Sequence, residues 1–206
     1  NRFIQLAQSH LQQKKQMLIG VLNAAKIVNS EKNPNLRQSL NRANILLADG
    51  MSVVWLSRLI GKPLPQRVAG IDIMTSLLEL SNQKGYSVYF LGAKKQVLQD
   101  LIGIIKSTYS DLQIAGFHDG YFKPDEEKFI AEDIKNAKPD ILFVGISSPK
   151  KENFLRKWHD FMNVKICHGV GGSFDVLAGK TKRAPIWMQK TGIEWLYRLI
   201  QEPSRM

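Results

Sequence analysis

Six short apolar runs, separated by stretches of helical periodicity, constrain the fold of this chain more than any other feature. They lie at residues 17–22, 45–48, 86–91, 112–117, 140–146 and 164–169. Helical patterns cover residues 2–16, 36–43, 71–84, 97–109, 126–136 and 153–161, and begin again near 51 and 186. Apolar strands joined by crossover helices form parallel sheets that are covered on both faces. The sequence therefore predicts an α/β, Rossmann-like fold with a mainly parallel sheet of about six strands and helices on both faces.

Length and charge narrow the classes of function. A chain of 206 residues with 44% apolar content is long enough for one domain, which we assign to residues 1–206. The net charge of +11 predicts attraction to a polyanion: nucleic acid, anionic lipid or a phosphorylated substrate. The one cysteine, Cys167, can form no internal disulfide, which fits a reducing compartment. Without an apolar window of membrane-spanning length or a secretory signal pattern, we expect a cytoplasmic location.

Polar and glycine residues gather where the predicted strands end. In parallel α/β sheets, ligands bind beyond the carboxyl ends of the strands. The residues at these ends are Asn23, Asp49-Gly50, Gly92-Ala93-Lys94, His118-Asp119-Gly120, Ser147-Ser148-Pro149 and Gly169 to Gly172. Gly169, Gly171 and Gly172 predict a turn whose amides can approach a phosphate, and the alternative is a tight turn that only reverses the chain.

Asp49 is the candidate catalytic residue. It directly follows the second apolar run, where a carboxylate could take a proton from an attacking hydroxyl group. The alternative is that Asp49 is the N-cap of the helix that begins near Met51. Asp119 and Asp175 are weaker candidates on the same reasoning.

Metal and cofactor motifs are poorly represented. The four histidines lack zinc-ligand spacing, and no Asp-x-Asp pair is available to hold a divalent ion. The chain also has no Walker loop and no Gly-x-Gly-x-x-Gly at a helix start. We therefore expect no metal and no cofactor, and we expect arginine, lysine and backbone amides to stabilise any departing diphosphate.

Several ordered motifs between residues 17 and 205 resemble one family. They are Asp49-Gly50, the segments at 64–72, 90–92, 120–122, 145–152 and 169–175, Ala178-Gly179, Arg183-Ala-Pro185, the segment at 192–198, and Glu202-Pro203. On these residues the chain resembles the WecG/TagA/CpsF glycosyltransferases of bacterial surface-polymer synthesis.

The resemblance implies an inverting, metal-independent transfer of an N-acetylmannosamine-type or related sugar. The donor would be a UDP-sugar and the acceptor a polyprenyl-diphosphate-linked saccharide at the inner face of the membrane, in cell-surface polysaccharide or teichoic acid synthesis. By the same resemblance, Asp49 would be the general base, Arg67 and the glycine turn would hold the donor, and Arg198 and Arg205 would meet diphosphate charge. The predicted substrate-binding residues are Asn23, Arg67, Gly92, Lys151, Gly169, Gly171, Gly172, Arg183, Arg198 and Arg205.

Two departures from the family pattern concern the predicted site. Where the family commonly has Thr-x-Asn, this chain has Val21-Leu22-Asn23, so that a hydroxyl group is missing. Where the family commonly has Pro-x-Gln-Glu, residues 149–152 are Pro-Lys-Lys-Glu. We hypothesise that Lys151 shifts the preference toward an anionic or otherwise different sugar.

The family continues beyond the Glu-Pro-x-Arg segment into a basic, membrane-associating tail. The resemblance therefore predicts that the 1–206 domain lacks this tail, has low activity in solution and self-associates. Two other classes of protein remain open at this stage. They are a nucleic-acid-binding module, suggested by the charge but without a recognition motif, and a non-catalytic α/β protein that binds a nucleotide or a methyl donor.

Overall fold

In the computed structural model, a parallel sheet forms the centre of the molecule. The structure describes residues 2–201, except for the side chains of Lys190, Trp195 and Arg198. Its strands are β1 (Met17–Leu22), β2 (Ile45–Ala48), β3 (Ser87–Gly92), β4 (Gln113–His118), β5 (Ile141–Gly145) and β6 (Ile166–Gly169). They form one six-stranded sheet in the order β2-β1-β6-β5-β3-β4, and every neighbouring pair is parallel. The predicted fold class is confirmed.

Helices cover the sheet. The helices are α1 (Arg2–Gln13), α2 (Ala24–Lys32), α3 (Pro34–Asn41), α4 (Met51–Leu59), α5 (Gly70–Lys84), α6 (Lys95–Thr108), α7 (Glu127–Ala137), α8 (Lys150–Met162), α9 (Ser173–Leu177), α10 (Ile186–Thr191) and α11 (Glu194–Gln201). The short helix α2 has no counterpart in the sequence prediction. It begins at Asn23, whose side-chain oxygen accepts a hydrogen bond from the Lys26 amide at 2.9 Å.

Alternate residues of the strands face two separate apolar cores. On one face, Phe90 and Phe143 pack with residues of α1, α5, α6 and α9, and their ring centroids are 5.7 Å apart. On the other face, Leu91 and Val144 pack with residues of α7 and α8. Successive strand side chains point to opposite faces, and both faces are buried, which explains why the strands are continuous apolar runs.

Candidate active site

The strand order brings the predicted site residues to one part of the sheet edge. Because β1 lies between β2 and β6, the residues that follow these three parallel strands are neighbours. They are Asn23 after β1, Asp49 after β2 and the turn that begins at Gly169. The sequence identified each of these segments, but their adjacency appears only in the structure.

Asp49 lies at the carboxyl end of β2 with its side chain one-third exposed. Its amide donates to the carbonyl oxygen of Leu22 at 2.9 Å, which fixes the residue beside the end of β1. One carboxylate oxygen, Oδ1, lies 3.8 Å from Nε of Arg67. Gly50, with a φ of 131°, occupies the N-cap position of α4. The alternative prediction, that Asp49 is the N-cap of this helix, is therefore wrong.

Arg67 connects the end of β2 to the last helices. Its guanidinium is largely buried, with 13% of the side chain exposed, and it forms an ion pair with Glu194 as well as contacting Asp49. A third nitrogen, Nη1, donates to the carbonyl oxygen of Gln189 at 3.3 Å. Arg67 is therefore held by groups from three parts of the chain, and its contact with a donor substrate stays a prediction.

Arg183 forms a two-pronged ion pair with Asp72. The distances are 2.6 Å from Nη1 to Oδ1 and 2.9 Å from Nη2 to Oδ2. These hydrogen bonds raise the pKa of Arg183, and the charges of Glu194 and Asp49 add to the effect. Asp49 therefore lies 3.8 Å from one guanidinium, that of Arg67, and interacts electrostatically with a second, that of Arg183.

An open cleft lies beside these residues. Its volume is about 290 Å³, and it is lined by Met51, Arg67, Ala69, Asp72, Ile186 and Gln189. A cleft with polar and charged groups on an apolar lining is a common form of small-molecule site. The position of Arg67 in its wall connects this cleft to Asp49.

The glycine turn after β6 is tightly bonded within the protein. The amides of Val170 and Gly171 donate to the carbonyl oxygen of Val144, at 2.9 and 3.4 Å, and the amide of Ser173 donates to that of Val170 at 3.2 Å. Gly171 has a φ of 55°, in the left-handed region. Most of the turn's amides are thus engaged, and the binding of a phosphate by Gly169, Gly171 and Gly172 stays a prediction.

Lys151 lies under this turn, in a buried cluster of three charged side chains. Its residue is 6% exposed, and its amine is 3.5 Å from Oε1 of Glu152, which is itself 2.8 Å from the amine of Lys26. Lys26 also donates to the carbonyl oxygen of Val21 at 2.7 Å. Both departures from the family pattern, Val21 and Lys151, therefore lie at this cluster.

The cluster shifts the titration of its members. Burial, reinforced by the charge of Lys26, lowers the pKa of Lys151 from its usual 10.5 to about 8, against the opposing charges of Glu152 and Asp49. Burial would raise the pKa of Glu152, but the charges of Lys151 and Lys26 outweigh it and lower this pKa to about 2. Burial also lowers the pKa of His168, on β6, to about 4. At pH 7, Lys151 is therefore mostly a cation and Glu152 an anion.

Sequence reasoning missed Lys26 and the role of Glu152. Lys26 lies in α2, which the sequence pattern did not predict. A lysine in a polar segment ordinarily indicates a solvated surface. Glu152 was visible as part of the Pro-Lys-Lys-Glu segment, but no local signal indicated its burial. The pairing of these two residues joins α2 to α8 and depends on the tertiary fold.

Of the remaining predicted substrate-binding residues, two have structural roles and two have side chains outside the described part of the chain. Asn23 caps α2, and Gly92 has a φ of 142° where an added Cβ would lie 2.5 Å from the backbone of Gly145. Both therefore have structural roles, and their contacts with substrate stay predictions. The side chain of Arg198 and the whole of Arg205 lie outside the described residues. Within residues 2–201, no three His, Cys, Asp or Glu side chains are grouped so that they could hold a metal ion.

The fold and these residues define an α/β protein with a charged cleft at the carboxyl edge of a parallel sheet. Comparison with known proteins identifies its family. The chain belongs to the glycosyl transferase WecG/TagA/CpsF family, whose family model matches residues 1–206. The resemblance stated from the sequence motifs is confirmed, and the chain is a glycosyltransferase rather than a member of either alternative class.

Two curated relatives are similar over nearly the whole chain. Both are N-acetylglucosaminyldiphosphoundecaprenol N-acetyl-beta-D-mannosaminyltransferases. The one from Bacillus spizizenii is 38% identical over 200 residues, which cover 97% of this chain and 77% of the relative. The one from Bacillus subtilis is 36% identical over 204 residues, which cover 98% and 79%.

The chain also has a weak likeness to a solved structure. It is a putative transcription repressor of the LacI family from Corynebacterium glutamicum, and the alignment covers 91% of this chain and 92% of that one, at 18% identity and a TM-score of 0.33. A likeness at this TM-score carries no argument about fold or function.

Proposed function

We propose that this glycosyltransferase moves an N-acetylmannosamine-type sugar from a UDP-sugar to a polyprenyl-diphosphate-linked saccharide, with inversion and without a metal ion. The names of the two Bacillus relatives support the sugar and the lipid-linked acceptor. The observation that carries the chemistry is the position of Asp49, at the carboxyl end of β2 and facing Arg67 and Arg183 beside an open cleft.

Asp49 acts as the general base in this proposal. Its carboxylate takes the proton of the acceptor hydroxyl group as that oxygen attacks the anomeric carbon of the donor sugar. The new carbon–oxygen bond forms as the bond to the diphosphate breaks, and UDP leaves from the opposite side with the bonding electron pair. One displacement of this kind inverts the anomeric configuration.

Positive side chains stabilise the leaving diphosphate. Arg67, Arg183 and Lys151 bring cationic groups to the region around Asp49. Fixed positive groups in a partly desolvated cleft stabilise developing negative charge without reorganising during the reaction. This arrangement would supply the electrostatic stabilisation that a divalent ion supplies in other nucleotide-sugar enzymes.

The acceptor lipid requires a location at the membrane surface, which we propose on two grounds. Leu59 and Ile60 at the end of α4, and Ile186 and Trp187 on α10, are 60–84% exposed, and Ile186 also lines the cleft. Apolar side chains beside a net charge of +11 suit an anionic lipid surface. No helix within residues 2–201 is both long and apolar enough to cross a bilayer.

A transfer assay tests the proposed reaction. Radiolabelled UDP-sugars are incubated with a short-chain polyprenyl-diphosphate glycoside, and the product's anomeric configuration is determined by NMR spectroscopy, with and without EDTA. Asp49→Asn should abolish transfer and leave the affinity for UDP unchanged, whereas Asp125→Asn, an exposed carboxylate before α7, should leave both unchanged. Loss of UDP binding together with transfer would assign Asp49 a structural role instead.

Vesicle flotation tests the membrane surface. The protein should float with phosphatidylglycerol vesicles and remain unbound with phosphatidylcholine vesicles. Leu59→Gln combined with Trp187→Gln should lower the bound fraction, while Phe129→Gln, on α7 and 71% exposed, serves as the matched control. Equal lowering by both sets of variants would contradict this surface. Self-association stays a prediction that sedimentation velocity can test.

A further inference from the structure

The buried cluster of Lys26, Lys151 and Glu152 contains two lysine side chains and one carboxylate. Glu152 is the single carboxylate in the cluster, and its Oε1 lies 2.8 Å from the Lys26 amine and 3.5 Å from the Lys151 amine. Lys26 is satisfied further by the carbonyl oxygen of Val21 at 2.7 Å. Taking a charge out of water is costly unless a counter-charge or strong hydrogen bonds compensate for it.

The Lys151 amine is held less closely by Glu152 than the Lys26 amine is. Its distance of 3.5 Å from Glu152 exceeds the 2.7–3.2 Å that is usual for such hydrogen bonds. The side chain is almost fully enclosed, since the residue is only 6% exposed. Because an ammonium group carries three N–H donors, this amine has the capacity to bind a further anionic partner.

The glycine turn packs directly against the Lys151 side chain. An added Cβ at Gly169 would lie 2.8 Å from Cδ of Lys151 and 3.5 Å from its Nζ, and one at Gly171 would lie 3.9 Å from Nζ. Two residues without side chains therefore border the amine. The small cavity that Lys151 lines together with Gly20, Leu155 and Gly169 measures about 20 Å³, which is room for one water molecule and not for a phosphate or carboxylate group.

The amine is also electrostatically connected to the reacting end of the site. The charge of Asp49 acts on Lys151, as it does on Arg183. The turn's own amides at Val170, Gly171 and Ser173 are engaged with carbonyl groups, so the positive charge at this turn comes chiefly from Lys151.

We propose that the Lys151 amine, braced by Glu152 and Lys26, binds an anionic oxygen group of the donor substrate over the glycine turn. This inference rests on the proposed function, because it takes the donor to be a UDP-sugar. Two parts of a donor carry such oxygens: the diphosphate, and a carboxylate when the sugar is a uronic acid. The amine is accordingly a substrate-binding and specificity-determining group.

Titration calorimetry on the whole chain tests the proposal. The ligands are uridine, UDP, a neutral UDP-hexose and the matching UDP-hexuronate, and the variants are Lys151→Gln and the control Lys128→Gln, an exposed lysine on α7. If the diphosphate is the partner, Lys151→Gln weakens UDP and both donors by about 10- to 100-fold and leaves uridine unchanged. If a sugar carboxylate is the partner, the variant weakens the UDP-hexuronate alone by a similar factor.

A pH series provides a readout that a merely structural role would not give. Wild-type affinity for the anionic ligand should fall as the pH rises from 7 to 9, because Lys151 loses its proton with a pKa of about 8. The charged and titratable groups that face it are Lys26 from α2, Glu152 from α8, Asp49 after β2 and His168 on β6. All four remain in Lys151→Gln, so the fall should disappear in that variant if Lys151 causes it.

The outcomes separate this inference from the proposed function. If the wild type binds UDP, and Lys151→Gln binds every ligand with the same affinity and the same pH dependence as the wild type, the inference is overturned and the proposed function is left intact. Failure of the wild-type chain to bind any uridine nucleotide would overturn both. Circular dichroism confirms that Lys151→Gln is folded, and Lys151→Arg, which keeps a cation, should retain more affinity for the anion than Lys151→Gln.

Discussion

Nε of Arg67 lies 3.8 Å from Oδ1 of Asp49, and the same guanidinium contacts Glu194 and the carbonyl oxygen of Gln189. The planar guanidinium presents five donors in a fixed fork, which lets one side chain hold three groups at once. Arg67 thereby sets the position of the candidate base relative to α10 and α11.

Arg67→Lys should lower kcat/KM for transfer by about 10- to 100-fold, because a lysine amine cannot keep all three contacts and misplaces the base. Steady-state kinetics with the polyprenyl-diphosphate acceptor measure the effect. Arg58→Lys, at an exposed position on α4, is the matched control. Unchanged kinetics in Arg67→Lys would show that a positive charge near Asp49 is sufficient.

Lys151→Gln should stabilise the protein at pH 7 while it weakens substrate binding. The folded-state pKa of Lys151 is about 8 against a usual 10.5, so the charged amine costs stability below pH 8. That cost is on the order of 3–4 kcal/mol, since one pKa unit corresponds to about 1.4 kcal/mol. The wild type recovers this stability as the pH rises from 8 to 10.5, because the unfolded chain then binds more protons than the folded chain.

Urea unfolding of both proteins at pH 7 and pH 10 checks this prediction. The difference in free energy of unfolding should be large at pH 7 and small at pH 10. Lys128→Gln, with its side chain mostly in water, should show little difference at either pH. A Lys151→Gln variant that is less stable than wild type at pH 7 would mean that the buried amine is better paired than its contacts indicate.

Glu152→Gln should destabilise the protein at pH 7, in contrast to Lys151→Gln. It removes the carboxylate between two buried lysines and should lower the free energy of unfolding by about 3–5 kcal/mol at pH 7. In the wild type, the lowered pKa of about 2 means that Glu152 contributes stability above pH 4.5 that is lost as the pH falls toward 2. Adding Lys151→Gln to Glu152→Gln should restore part of the loss, and a double-mutant cycle measures this coupling. Additive effects would show that the two side chains are independent.

Gly92→Ala should destabilise the chain severely. The φ of 142° disfavours any side chain, and the added Cβ would lie 2.5 Å from the backbone of Gly145 on the neighbouring strand. Gly103→Ala is the matched control, because Gly103 lies on α6 and its Cβ would meet nothing within 4 Å. In the control, alanine should raise helix stability by up to about 1 kcal/mol. Thermal unfolding followed by circular dichroism compares the two, and equal midpoints would contradict the close approach of β3 and β5.

The sequence predicted the elements of this fold more readily than their arrangement. Parallel strands such as β5 are buried on both faces and are therefore visible as unbroken apolar runs. Helix α2 was missed because its stretch is mostly polar and only Lys26 is buried in it. The order β2-β1-β6-β5-β3-β4 has no local signal, because it depends on which crossovers skip a strand.

The candidate site divides in the same way. Asp49 could be selected because its position after β2 already implied the ligand-binding edge. The acidic partners of Arg67 and Arg183 could not be predicted from the sequence. Glu194, the partner of Arg67, and Asp72, the partner of Arg183, are each more than 100 residues away along the chain. Lys151 was identified by its unusual residue type, but only the structure brings Lys26 to the same carboxylate.

The position of β1 between β2 and β6 has a consequence for synthesis on the ribosome. β1 can pair with β2 early, but its other edge stays open until residues 166–169 have left the exit tunnel. At about 5–20 residues per second, that interval lasts several seconds to tens of seconds. An apolar strand with an open edge can pair with other chains, so the nascent protein should need chaperone protection most during this interval.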